Sequence, residues 1–369
     1  MAGEFDPTEE LGLFPDKILV CNCRGFITKN NDARDLCERF IRNGGHFYDV
    51  LARYDDLTAY VLGREEATAG NSLKWIVPFL KAYGATDHLV HECSRERLEL
   101  MPNAGRTMRY ISSLLPTFIT TSVYEHGMMD IMENLGTPLC ETFCSKMDLD
   151  HVQFGRAESR KVREMATEIS ALRIPKVKYE LNVPMAVDEA DIKIIKTVDS
   201  ILHDKIPELS AMSLMESTTP VTSHKKAYQL LDIRRKTNID LDSTFYIGGD
   251  QTDFQPLDLV RDSGGVALSF NGSDFAVRGS NIAIMSKDST VGAVFAEEFY
   301  NRGIQSVMDL ANNWGRKYLK DADLPDMHLV ETLLAENPRR LPEVHVVDRN
   351  NVDEIAEKSD KYRRNLLGA

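Results

Sequence analysis

The feature that most constrains this chain is a series of short apolar runs, each closed by a turn signal and separated from the next by a helical stretch. Residues 17–23, KILVCNC, are rich in strand formers and stop at Arg24-Gly25. PTFITT at 116–121, residues 139–143, TFYIG at 244–248, residues 266–270 and residues 282–285 have the same form. Between them apolar residues recur at helical spacing over 32–41, 46–62 and 73–83, in two short helices within 86–114, and over 123–135, 157–171, 188–204, 223–236, 255–262, 288–301 and 303–319. Short buried strands alternating with helices predict an α/β fold with a mostly parallel sheet covered on both faces. The helical stretch 31–115 is too long for a single crossover. It predicts an inserted cap above the C-terminal ends of the strands, where such sheets bind their ligands. The expected division is an α/β core from 17–30 and 116–320, with 145–220 as a candidate further insertion, a helical cap at 31–115, and a charged extension at 321–369. That extension holds one apolar patch at 344–347 and a terminal helix near 352–366.

Composition narrows the function classes. The length of 369 residues suits two or three units. A hydrophobic share of 43% with 27% charged residues is that of a globular protein and excludes wholesale disorder. No apolar run approaches the ~18–20 residues of a membrane span, so membrane insertion is not expected. The acidic start, MAGEFDPTEELG, lacks the basic and apolar regions of a secretory signal. A net charge of −13, from 57 acids and 44 bases, argues against a nucleic-acid partner and against an anionic membrane surface. Six cysteines without a CxxC pair read as reduced thiols in a cytoplasmic protein.

Four stretches fall at strand ends in a fixed order: Asn22-Cys23-Arg24-Gly25, Thr120-Thr121-Ser122, Lys226 at the start of a helix, and Gly249-Asp250-Gln251-Thr252-Asp253. Singly each has an ordinary reading, as a helix cap, a solvated lysine or a turn. Together they resemble the haloacid dehalogenase-like (HAD) superfamily, whose motifs are D-x-D-G after the first strand, a serine or threonine after the second, a lysine, and G-D with a further acid. The resemblance is closer to a HAD-like group known as the R subunit of a methanogen energy-converting hydrogenase, which begins D-C-E-G-P-I-T-K-N-D-N-A where this chain has Asn22 to Ala33, NCRGFITKNNDA. It continues through Phe40-Ile41-x-Asn43-Gly44, Tyr54-Asp55-Asp56, residues 69–74 and 78–84, Pro220-Val221 with Lys226-Ala227, and residues 264–272. It covers about residues 17–290 and implies a HAD-like α/β core with a helical cap. Residues 320–369 lie outside it.

The chain departs from that pattern at the residues that carry the chemistry. The family's first aspartate attacks phosphorus through an anionic oxygen. Here it is Asn22, a neutral amide. The second acid exchanges a proton with the leaving group and water. Here it is Arg24, which stays charged near neutral pH. Both positions also help hold Mg²⁺ through oxygen, and Arg24 places a fixed positive charge there. Aligned on Thr252-Asp253, the family's first metal-side aspartate falls on Gly249, with Asp250 one position later.

These departures lead to one expectation. Arg24 takes the place of the metal and pairs with Asp250, Asp253 or both. Asn22, Gly25, Thr120, Thr121 and Lys226 remain as an anion pocket with nearby backbone N–H groups. The expected protein needs no cofactor and has lost phosphoryl transfer. It is a binding, regulatory or structural component with a small phosphorylated or anionic ligand, and its partner is a protein complex or a second copy. The resemblance implies an anaerobic metabolic complex. The alternative is a Mg²⁺-dependent phosphatase or hydrolase that recruits Asp250 and Asp253. A third reading makes Cys21 and Cys23 a metal or redox pair. On a strand, however, they share the face turned away from Asn22 and Arg24, which favours core packing. Cys140 and Cys144 lack a histidine at ligand spacing, and His126 and His224 stand near motif segments without a partner pattern.

Overall fold

The computed structural model describes residues 15–65, 67–136, 139–176 and 187–368. The acidic start of the chain lies outside the described residues. Seven strands form one sheet: β1 Ile18–Cys21, β2 Thr117–Tyr124, β3 Glu141–Ser145, β4 Thr244–Gly248, β5 Val266–Phe270, β6 Ile282–Met285 and β7 Glu343–Val346. Their order is β3-β2-β1-β4-β5-β6-β7. All neighbours are parallel except β6 and β7.

Alternation along the central strand explains its unbroken apolar run. Leu19 and Cys21 join Phe245, Ile247 and Leu268 under the helices Ala104–Leu114, Glu125–Leu135 and Thr290–Asn312. Ile18 and Val20 point the other way and join Tyr246 and Ala267 under the helices Ser223–Thr237 and Phe254–Asp262. Both faces are dry, so neither set is polar. Thr290–Asn312 is two helical segments meeting at Gly303, whose φ of +76° and ψ of −170° are not helical, and the break falls where the sequence separates two helices. β2 runs on to Tyr124, so the following helix starts at Glu125 and not Val123.

The helices beyond the strand ends come from two stretches of chain. Asp32–Phe40, Gly44–Asp56, Ser72–Trp75, Val77–Ala82 and Asp87–Arg97 follow β1. Arg156–Ser170, Glu189–Asp199 and Met212–Ser217 follow β3. Leu36, Val50 and Phe79 of the first set share one apolar cluster with Val162, Ile195 and Leu214 of the second. The Asp199 carboxylate accepts both Arg64 Nη1 at 2.6 Å and Arg64 Nη2 at 2.9 Å, and also accepts the Tyr54 hydroxyl, tying the two sets together. Ala104–Leu114, the last helix of the 31–115 stretch, lies instead on the sheet through Met108 and Ile111.

The charged stretch after 321 supplies structure of its own. β7 closes the sheet edge. The helix Val352–Leu367 buries Val352, Ile355, Ala356, Ser359 and Arg363, one stripe at helical spacing. Among the described residues, no helix is long and apolar enough to cross a membrane.

The first two cap helices meet at a contact that admits no side chain. A Cβ at Gly44 would lie 1.7 Å from the Cys37 carbonyl oxygen. Gly44→Ala is therefore expected to cost about 1–3 kcal/mol or more, read as a lower midpoint in denaturant unfolding.

Candidate functional site

Asn22 follows β1 directly and is buried. Its Nδ2 donates to Asp250 Oδ2 at 2.9 Å and to Asp253 Oδ2 at 2.8 Å, and its Oδ1 accepts the Cys23 N–H at 2.7 Å. An aspartate in this position would have no proton to give and would repel both acids. The amide is the side chain that this arrangement of carboxylates requires.

Asp253 is the hub. Its Oδ1 accepts Lys226 Nζ at 2.7 Å and the Tyr246 hydroxyl at 2.8 Å. Its Oδ2 accepts the backbone N–H groups of Gly249 and Asp250, each at 2.8 Å, besides the Asn22 amide. Lys226 and Asp253 side chains are both 0% exposed. Lys226 reaches this depth because it sits on the buried stripe of its helix, with Gln229, Leu230 and Ile233. Thr222 caps that helix by accepting the Lys225 N–H, and the cap loop docks beside it, with Ser223 N donating to Ala69 O at 2.9 Å.

Asp250 faces two arginines. Arg24 Nη1 lies 3.6 Å from Asp250 Oδ1. Arg363, from the helix Val352–Leu367, donates through Nη2 to the same oxygen and through Nη1 to Asn271 O at 2.9 Å. Burial alone would push the Asp250 carboxyl up, but Arg363, Arg24, Lys226 and the Asn22 amide outweigh it and hold the group below the usual carboxylate range. Arg24 moves the other way: burial and the neighbouring Arg363 pull it down to about 10 against the attraction of Asp250. Arg24 thus meets Asp250 and not Asp253, which is committed to Lys226. Arg363 was missed in the sequence, although Val352, Ile355, Ala356 and Ser359 form the stripe that turns it inward.

These residues do not fit a divalent cation. Gly249 stands where the resembled HAD pattern has a metal-side aspartate, and a Cβ there would lie 2.8 Å from Phe270 O and 3.2 Å from Arg24 O. Arg363 Nη1 would sit 3.4 Å from that Cβ, so a guanidinium borders the space a carboxylate would need. Three cationic side chains converge on two carboxylates, which leaves Mg²⁺ no anionic oxygen set. Among the described residues, no group of three or more His, Cys, Asp or Glu side chains is placed to hold a metal.

The remaining expected ligands have internal partners. Thr120 Oγ1 donates to Gln229 Oε1 at 2.5 Å. Thr121 is hydrogen-bonded with the Cys23 thiol. The Gly25 N–H closes a turn onto Thr28 O at 2.7 Å. Of the Thr-Thr-Ser stretch, Ser122 is the residue that lines the adjoining cavity. Cys21 and Cys23 are free thiols in the sheet core. Burial pushes Cys21 well up, and it pushes Cys23 up to about 12 against the Thr121 hydrogen bond, so neither offers a thiolate. Cys140 and Cys144 are free as well. His126 pairs with Asp87 at 3.2 Å, and His224 is exposed on the first turn of the Lys226 helix. Neither lines the cavity.

A cavity of about 270 Å³ lies between the strand ends and the cap, reaching Arg24, Tyr48, Asp55, Ser122, Thr252 and Arg363. Asp55 Oδ2 accepts the N–H groups of Gly70 and Ser72 at 2.8 Å, while its buried Oδ1 has no partner. Gly70 adopts φ +107°, and a Cβ there would lie 2.9 Å from Thr222 Cα, so this loop presses on the start of the Lys226 helix. Burial pushes the Asp55 carboxyl up to about 7 in spite of its two backbone hydrogen bonds.

No family model matches the sequence, and no curated protein matches it. Among solved structures, the gene product AF1437 from Archaeoglobus fulgidus is similar over 95% of this chain and 97% of its own, with a TM-score of 0.74 at 20% identity. The two share a fold. Far weaker is the likeness to a phosphoserine phosphatase captured as a phospho-aspartyl intermediate analogue, at TM-score 0.42 and 12% identity over 74% of this chain and 95% of that one. A HAD family hydrolase from Salmonella enterica serovar Typhi stands at TM-score 0.39 and 11% identity over 72% of each chain. Likenesses of that size say nothing of chemistry. Strand order and the helical insertion after β1 make this the mostly parallel α/β sheet with an inserted helical cap expected from the sequence.

Two outcomes are expected. Asp253→Ala strands a buried lysine and removes five acceptor contacts, and should cost about 3–5 kcal/mol in denaturant unfolding. Asp55 has a folded pKa above its unfolded value, so the stability it contributes is complete below about pH 4 and is lost as pH rises through about 7. Asp55→Asn should therefore match the parent near pH 4 and exceed it by one to a few kcal/mol at pH 8, measured as unfolding midpoints at both pH values.

Proposed function

We propose that this chain is a HAD-like protein that works by binding and not by phosphoryl transfer. The observation that carries this reading is the Asn22 amide hydrogen-bonded to both Asp250 and Asp253. Attack on phosphorus needs an anionic oxygen free to approach it. The Asn22 oxygen is neutral and accepts the Cys23 N–H. Proton exchange with a leaving group needs an acid that titrates near the working pH. Arg24, at about 10, holds its proton through the physiological range. The two acids of the Mg²⁺-dependent alternative, Asp250 and Asp253, are engaged by Arg363 and Lys226.

In this reading the protein is a cytoplasmic regulatory or structural component, with a protein complex or a second copy as its partner. The resemblance of residues 17–290 to the hydrogenase-subunit group supports an anaerobic metabolic assembly by analogy alone. Purified protein is expected to show no turnover of an aryl phosphate or of a panel of phosphorylated metabolites, with or without Mg²⁺. Activity that appears only in the Asn22→Asp, Arg24→Asp double variant would fit lost chemistry on a surviving fold. Mg²⁺-dependent turnover by the unmodified chain, or a trapped phosphoryl adduct on it, would overturn the reading.

A further inference from the structure

Arg24, Lys226 and Arg363 surround two carboxylates in one buried cluster. Lys226 is matched by Asp253 at 2.7 Å, and Arg363 is hydrogen-bonded to Asp250. Arg24 is the cation left over. Its approach to Asp250, at 3.6 Å, is beyond hydrogen-bond reach, and its Nε and Nη2 are buried without a partner. A buried guanidinium with unused N–H groups is costly, and orphaned buried polar atoms call for an account.

The cavity beside Arg24 supplies one. It is also lined by Thr252, whose buried hydroxyl has no partner. The acids on its wall are paired or pushed toward neutrality, and Asp250, the one held charged beside Arg24, is hydrogen-bonded to Arg363. Arg34 binds Asp49 through two nitrogens at 3.0 and 3.2 Å, and Arg364 pairs with Asp360 at 3.1 Å. Burial pushes Asp32, Asp55 and Asp56 toward the neutral form. At about 30 Å³ per water, a volume of about 270 Å³ is well beyond a bare inorganic ion and suits a small organic molecule.

We infer that this cavity binds a small organic oxyanion, a carboxylate or a phosphate, whose oxygens pair with the Arg24 guanidinium and the Thr252 hydroxyl. The assignment rests on the reading of a site without phosphoryl-transfer acids, since it makes the arginine at the second acid position the ligand's counter-ion. It differs from a phosphatase subsite in using neither Asn22 nor Thr120, both of which are internally bonded.

The test is calorimetric titration of the full chain with inorganic phosphate and, separately, with succinate. At least one should bind in the millimolar range or tighter, and the stronger of the two names the anion class. Arg24→Met should weaken that binding about ten- to hundredfold, as the loss of a charged hydrogen bond does, with Arg24→Lys between the two. Thr252→Val should weaken it less. Failure of both probes to bind, or equal affinity in Arg24→Met, overturns the inference. Should Arg24→Met fail to fold, unchanged affinity in both Arg24→Lys and Thr252→Val overturns it. The two proposals fail separately: turnover by the unmodified chain defeats the non-catalytic reading whatever binds, and absent binding leaves that reading intact.

Discussion

The Asp253 carboxylate is the point on which the centre of this protein turns. Five donors reach it from three places: Asn22 after β1, Tyr246 and the Gly249–Asp250 turn at β4, and Lys226 from the helix that the cap loop docks against. A carboxylate removed from water must find such partners or neutralise. Asp253 has a cation and four further hydrogen bonds, so it fixes the separation of the two central strands' ends and the depth of the Lys226 helix at once. The Asp250 turn then hangs from it, because Asp250 N is one of the five donors.

The residues that stand where the resembled HAD pattern has acids form one consistent set. Once Asn22 donates to both acids, a carboxylate there would be repelled. With Arg363 beside Asp250, a third acid at Gly249 would have to displace Phe270 O and the guanidinium together. With Arg24 in place of an acid, the cluster carries its own positive charge. Each of these residues makes the others tolerable, as a site held by internal ion pairs requires.

Much of the fold was legible because burial on both faces leaves uninterrupted apolar runs. β4, β5 and β6 lie where those runs lie, and the 344–347 patch is β7 shifted by one residue. Helical periodicity located the helices around 156–170 and 189–205 but not what they pack against, since an apolar stripe does not name its partner. The short helix Asp274–Gly279 carries too few turns to show a period. In the site, charge alone pointed Arg24 at an aspartate. Which aspartate depended on Lys226 reaching Asp253 first, and that depth is legible only from the stripe of residues 226, 229, 230 and 233. Thr120 could not be assigned, because its fate is set by Gln229 across the fold.

The helix that delivers Arg363 has a kinetic corollary. The bonds that close the centre span 113, 228 and 231 residues of chain. Loop closure over such distances is entropically unfavourable. Pairing of β1 with β4, Ile18 against Thr244, closes a loop of the same order, so the sheet and the charge cluster depend on the same long-range closure. Its integrity is then a readout of the whole architecture.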